Sequence, residues 1–202
     1  TFSWLDNEKF PSLSQPATEY NGIAFAETFG NDLAYTLYSH AVSLRDLGST
    51  MSPFHAWLTL NGVETLALRM ERHCENAQRV AEFLHGHPQV DWVSYAGLPD
   101  NSFYPLASKY LEEGAGSVFT FGIKGGYEAG VKLVELVELH SHVANIGDTR
   151  SLIIHPASTT HRQLTDEQRV AAGAGPEVIR LSVGLEQVED IINDLDQAFQ
   201  LL

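Results

Sequence analysis

The sequence predicts an α/β chain whose larger part, from about residue 88 onward, is a compact α+β lobe preceded by a long linking helix. Three observations carry the prediction. No proline interrupts the stretch from Phe54 to about His85, which is helical in pattern. After His87-Pro88, short runs rich in β-branched and aromatic residues alternate with helical stretches across short connections. The closing segment sets Val188, Ile191, Ile192, Leu195, Phe199 and Leu202 at spacings of three and four, which line one face of a helix.

The elements follow in order. Residues 1 to about 30 hold few periodic signals and several breakers (Pro11, Pro16, Gly22, Gly30), and read as a connecting segment. A helix is expected from about Asp32, with Gly48 as its stop. Ser52-Pro53 supplies an N-cap and a first-turn proline for the long helix, with Gly62 as the point where it bends or breaks. VDWVSY, SVFTFGIK, SHVANIG, SLIIHP and VIRLSVG read as strands, and the stretches near 103–111, 127–138 and 166–172 as helices. In the final helix, acidic Glu189, Asp190, Asp194 and Asp196 interleave with the apolar stripe.

Composition narrows the function classes. The formal charge of −14, from 26 acidic and 12 basic residues, repels phosphate backbones and anionic lipid, which argues against nucleic acid or membrane as partner. A small anionic ligand then needs a specific arginine. Cys74 is the only cysteine, which excludes an internal disulfide framework and a multi-cysteine zinc site. No stretch is long and apolar enough to span a bilayer, and TFSWLDNEKF has neither the basic start nor the apolar run of a signal peptide. A cytoplasmic setting fits best. The opening Thr in place of Met suggests that something upstream is missing.

Few side chains stand out for chemistry. The glycines of GAGSVFTFGIKGG precede a strand and read as a turn, since a phosphate cradle needs them between a strand and a helix N-terminus. His73 and Cys74 are helix neighbours about 100° apart and do not face each other. His155 and His161 bracket the loop HPASTTH without a third metal ligand, so no metal is expected. In VIRLSVG, strand alternation sets Ile179, Leu181 and Val183 on one face and Arg180 with Ser182 on the other. Two readings of Arg180 remain open: part of a solvated outer face, or a guanidinium fork for a carboxylate. NIGDTRS has turn composition and either simply turns the chain or presents polar groups to that same carboxylate.

ASTTH, IRLSVGLE and the closing DLDQAFQLL together resemble the Cys/Met-metabolism pyridoxal-phosphate (PLP) enzymes. SPFHAWLTLNGVETLALRMERH resembles that family's helix between the cofactor domain and the C-terminal domain. The likeness covers essentially the whole chain, and NIGDTRSLIIHPASTTHRQL is most similar to the O-acetylhomoserine sulfhydrylase branch. The family's lyases and cystathionine synthases usually carry Ser-Leu where this chain has Asn145-Ile146. The resemblance implies the C-terminal part of a fold-type I PLP-dependent transferase: a small, mostly antiparallel sheet covered by helices. Residues 1–70 would be the tail of the PLP-binding domain plus the linking helix, and residues 71–202 the substrate-carboxylate-binding domain.

The resemblance also implies site residues and a reaction. Arg180 would bind the substrate α-carboxylate, with Asn145, Ile146 and Thr160 beside it. None of the four lysines, Lys9, Lys109, Lys124 and Lys132, lies in the family's Schiff-base segment, and the PLP-phosphate glycines lie upstream. The chain therefore reads as beginning just after that lysine, with no catalytic residue of its own. The intact enzyme would be a homotetramer making homocysteine from O-acetylhomoserine and sulfide by γ-replacement. Methionine γ-lyase, cystathionine γ-synthase, O-succinylhomoserine sulfhydrylase and a non-catalytic interaction module are the alternatives.

Overall fold

A computed structural model describes residues 3–5 and 9–202, so the first few positions of the expected 1–70 segment lie outside the described residues. The chain divides into two units, Thr1–Asn61 and Gly62–Leu202.

In the first unit, Pro11 opens a one-turn helix, α1 (Pro11–Ser14), where its missing N–H costs nothing. A 3₁₀ turn at Thr18–Tyr20 leads to α2 (Phe25–Tyr38) and a π-helical stretch, Ser39–Asp46. Gly30 kinks α2 (φ 71°, ψ 168°), which is why the helical pattern becomes legible only near Asp32. Phe25 is buried, edge-on to both Tyr20 and Tyr38, beside buried Leu13, Ala26 and Ala34. Gly48, at φ 69°, turns the chain after the π-helical stretch, as expected.

The expected long helix is two helices, α3 (Pro53–Glu64) and α4 (Leu66–His85). The break falls at Thr65 (φ −103°, ψ 3°) rather than at Gly62. The Gly62 carbonyl accepts from Arg69 Nη2 at 2.6 Å, and Thr65 Oγ1 accepts from Arg69 Nε at 3.3 Å, so side chains take over where the backbone ladder stops.

The second unit continues with β1 (Val90–Ser94), α5 (Tyr104–Tyr110), β2 (Val118–Ile123), α6 (Gly126–Leu136) and β3 (Leu152–Ile154). A 3₁₀ turn (Pro156–Ser158), α7 (Asp166–Ala171), β4 (Val178–Ser182) and α8 (Val188–Gln200) complete it. The four strands form one antiparallel sheet in the order β1-β2-β4-β3, so β4 is central between β2 and β3. Phe119, Phe121, Ile153, Ile179 and Leu181 share the sheet face that joins the main core with α4, α6 and α8. α4, α6 and α8 cover that face, and the lobe is α+β as expected.

One expected strand is absent. SHVANIG makes a single bridge, Ser141 to Leu152, and otherwise bends. Gly147 (φ 74°) and Asp148, whose carboxylate accepts from the Arg150 N–H at 3.0 Å, impose turn geometry over the β-branched content. The glycines at 125 and 126 do lie between a strand and a helix, and turn β2 into α6 with φ of 94° and 63°.

Asp194 is buried among the apolar residues it interleaves with. It accepts from the Glu138 and His140 N–H groups at 2.7 and 3.1 Å and sits 2.7 Å from His140 Nδ1, fixing the segment that leaves α6. Burial alone raises this carboxyl. The hydrogen bonds from the His140 ring and from the N–H groups of Glu138, His140 and Leu139 outweigh burial and hold it well below the usual carboxylate range. A depressed folded-state pKa gives stability that is present above the unfolded value of about 3.8 and lost as pH falls through the folded value. Asp194→Asn is therefore expected to lower stability at neutral pH by on the order of 2–3 kcal/mol. It is also expected to flatten the acid limb below about pH 4. Urea unfolding across a pH series checks both.

Candidate functional site

The period-2 alternation of β4 sends Ile179, Leu181 and Val183 into the core and leaves Arg180 half-buried on the opposite face. Register places Arg180 in a row that crosses all four strands: Ser94, Thr120, Arg180, Ile154. The rows on either side are Trp92, Gly122 and Val178, and Val118, Ser182 and Leu152. The Trp92 ring covers Gly122, where an added Cβ would lie 2.3 Å from Nε1. Ser182 is buried, not solvated, and among the described residues its hydroxyl has no hydrogen-bond partner.

Among the described residues no acceptor or carboxylate engages the Arg180 guanidinium. Other arginines are paired: Arg79 with Glu189 at 2.9 Å, Arg169 with Asp166 at 2.9 Å, Arg150 with Asp148 at 3.4 Å. A half-buried guanidinium has lost part of its hydration and gains strongly from an anion. Its fixed fork suits a carboxylate.

The other predicted residues lie on two loops that leave the ends of β3. Asn145 and Ile146 are exposed, and Asn145 Oδ1 accepts from the Ile146 N–H at 2.9 Å. Their loop is anchored just beyond the C-terminal end of β4. The Leu185 N–H donates to the Thr149 carbonyl at 2.8 Å, and the Gly184 N–H to Ser151 Oγ at 2.9 Å. Ser151 gives its N–H to Glu186 Oε1 at 2.7 Å and its hydroxyl to Oε2 at 3.0 Å. Thr160 is exposed, with its hydroxyl 2.9 Å from His161 Nδ1, and follows a 3₁₀ turn that packs on β4. The structure thus gathers both loops around β4. Among the described residues no hydrogen bond joins Asn145, Ile146 or Thr160 to Arg180.

All four lysines are exposed. Lys109 Nζ lies over the Tyr110 ring, Lys124 Nζ donates to the Pro88 carbonyl, and Lys132 Nζ to the Leu201 carbonyl. Among the described residues no group of His, Cys, Asp and Glu is arranged to hold a metal. His155 is buried, with Nδ1 2.9 Å from Ser158 Oγ and Nε2 2.9 Å from the Pro176 carbonyl, and burial pushes its pKa down. His73 is buried with Nδ1 2.7 Å from the Val183 carbonyl, while Cys74 is half-buried.

Sequence reasoning missed Glu186, Ser151, His73 and Asn76. Asn76 Nδ2 donates to the carbonyls of Gly184 and Glu186, both at 2.9 Å. A signal was available: His73 and Asn76 are polar residues on the core-facing stripe of α4, with Ala77, Val80, Ala81 and Leu84. Polar groups on such a stripe are there to hydrogen-bond.

The Cys/Met metabolism PLP-dependent enzyme model matches residues 15–200. The chain is 47% identical over 201 residues to homocysteine synthase of Schizosaccharomyces pombe, covering 99% of this chain and 47% of the relative. It is 48% identical over 208 residues to O-acetyl-L-homoserine sulfhydrylase of Leptospira meyeri, again with 99% and 47% covered. A crystal structure described as an O-acetylhomoserine (thiol)-lyase of Campylobacter jejuni, with N'-pyridoxyl-lysine-5'-monophosphate, aligns with a TM-score of 0.81 at 39% identity, over 96% of this chain and 46% of that one. The chain spans about half the length of the curated relatives it matches.

A Cβ at Gly184 would lie 2.4 Å from the Arg150 carbonyl carbon and 2.5 Å from the Ser151 nitrogen, both backbone atoms. Gly184→Ala is expected to cost about 1–3 kcal/mol and to displace the 145–151 loop. Denaturation and loop amide shifts check this.

Proposed function

The chain belongs to the Cys/Met metabolism PLP-dependent enzyme family, and from that membership we propose that it is the C-terminal part of an O-acetylhomoserine sulfhydrylase. Arg180 binds the α-carboxylate of the amino-acid substrate. The whole enzyme exchanges the acetate on the γ-carbon of O-acetylhomoserine for sulfide, giving homocysteine. The observation that carries this reading is the half-buried guanidinium at the centre of the sheet, unpaired among the described residues. The names of the relatives support the choice of branch.

In this reading the chain contributes binding and orientation. A bidentate Arg180–carboxylate pair fixes two atoms of the substrate and so the direction of its γ-carbon. Asn145 and Ile146 on one loop and Thr160 on the other flank the carboxylate. Residues 1–70 then serve as the tail of the cofactor domain plus the linking helix, and 71–202 as the carboxylate-binding lobe. The anchoring lysine belongs to another part of the enzyme, and the family's cofactor is held there. Assembly as a cytoplasmic homotetramer is part of the same proposal.

Two outcomes are expected. The 202-residue chain, incubated with PLP and dialysed, shows no borohydride-reducible absorbance band and forms no homocysteine from O-acetylhomoserine and sulfide. Either signal overturns the reading of the chain as the lysine-free part. Arg180→Lys removes the fork but keeps the charge, and weakens binding of O-acetyl-L-homoserine by about tenfold or more in an NMR titration. Unchanged binding overturns the carboxylate role.

A further inference from the structure

We propose that Glu186 is a positioning residue. It latches the 145–151 loop onto the strand that carries Arg180, so that the loop is in place before any ligand arrives. The proposal rests on the carboxylate reading of Arg180 and extends it to a residue that touches no substrate.

The latch is built from both sides. On the α4 side, Asn76, fully buried, donates to the carbonyls of Gly184 and Glu186, both at 2.9 Å, and His73 Nδ1 meets the Val183 carbonyl at 2.7 Å. These bonds set the backbone that continues β4, so the Glu186 side chain has a defined origin. On the loop side, Ser151, also fully buried, gives both its N–H and its hydroxyl to the two oxygens of Glu186, at 2.7 and 3.0 Å. The same hydroxyl accepts from the Gly184 N–H at 2.9 Å, which closes a ring through 184, 186 and 151. The Leu185 N–H to Thr149 carbonyl bond, at 2.8 Å, adds a second tie one residue from the ring.

Charge-assisted bonds from buried donors are strong, and losing the carboxylate leaves two donors of Ser151 without acceptors. The loop beyond the latch has little else to order it. Residues 142–146 are exposed and contribute no strand. A loop ordered in advance does not have to be ordered by the ligand, which raises affinity without new contacts. Both oxygens of Glu186 are occupied by Ser151, so this acid does not compete with a ligand for Arg180.

The test compares the wild-type chain with Glu186→Ala and Glu186→Gln. Backbone amide exchange is read residue by residue, and O-acetyl-L-homoserine is titrated while the Arg180 Nε–H signal is followed. Expected in Glu186→Ala is exchange about tenfold or more faster over 145–151, with α8 unchanged. The ligand is then bound about fivefold or more weakly. Glu186→Gln keeps an acceptor for the Ser151 N–H and falls between the two, which also covers failure of the alanine variant to fold. Unchanged loop exchange in both variants overturns the latch. So does a loosened loop that binds ligand as tightly as the wild type. A wild-type titration that leaves the Arg180 signal unmoved defeats the carboxylate reading instead. The latch is then judged on loop exchange alone: faster in the variants supports it, unchanged defeats it.

Discussion

Strand β4 is the constraint on which the rest of the second unit depends. Among the described residues it is the only strand with hydrogen-bonded neighbours on each side that carries both a fully apolar core face and a charged side chain on the other. Ile179 and Leu181 are fully buried under α4, α6 and α8, and a one-residue slip in register would exchange them with Arg180. Such a slip would put a guanidinium into an apolar core at a cost of several kcal/mol. The same packing that selects the register therefore aims Arg180 away from the core. Stability and site geometry are set by one choice.

The helices reinforce that choice in different ways. α8 covers the core face and, through Asp194, also fixes Glu138 and His140 on the path to β3. α4 covers the core face and reaches past the end of β4 through His73 and Asn76. Each helix thus combines an apolar stripe with one or two buried polar groups whose hydrogen bonds hold a connection rather than an element. The connections so held are the ones that flank Arg180.

Legibility in the sequence follows the range of the interaction. The direction of Arg180 is visible because a strand's period is two and its neighbours Ile179 and Leu181 are apolar. The final helix is visible because its stripe runs through Val188, Ile191, Leu195 and Phe199. SHVANIG misleads because Val143 and Ile146 are β-branched, although both are exposed and the chemistry of Gly147 and Asp148 governs the backbone. Gly62 misleads in the other direction, since a glycine inside a helix costs only about 1 kcal/mol and does not by itself end it. The latch was not legible, because Glu186 and Ser151 stand 35 residues apart and nothing in IRLSVGLE or NIGDTRS pairs the two. The resemblance supplied the family and the proposed role of Arg180, but no residue-level reason for the loop to stay in place.

In a chain with a net charge of −14, an arginine that stays unpaired needs its acidic neighbours to be occupied elsewhere. Two carboxylates beside the C-terminal end of β4 meet that condition. Asp148 is held below the usual range by the backbone N–H and side chain of Arg150, and Glu186 gives both oxygens to Ser151. Asp194 is spent on His140 and the backbone beside it. Each acid also secures a loop by being occupied. Ordering of the loops and occupancy of these acids thus come from the same hydrogen bonds, and a substitution that frees one of these carboxylates loosens the segment it holds.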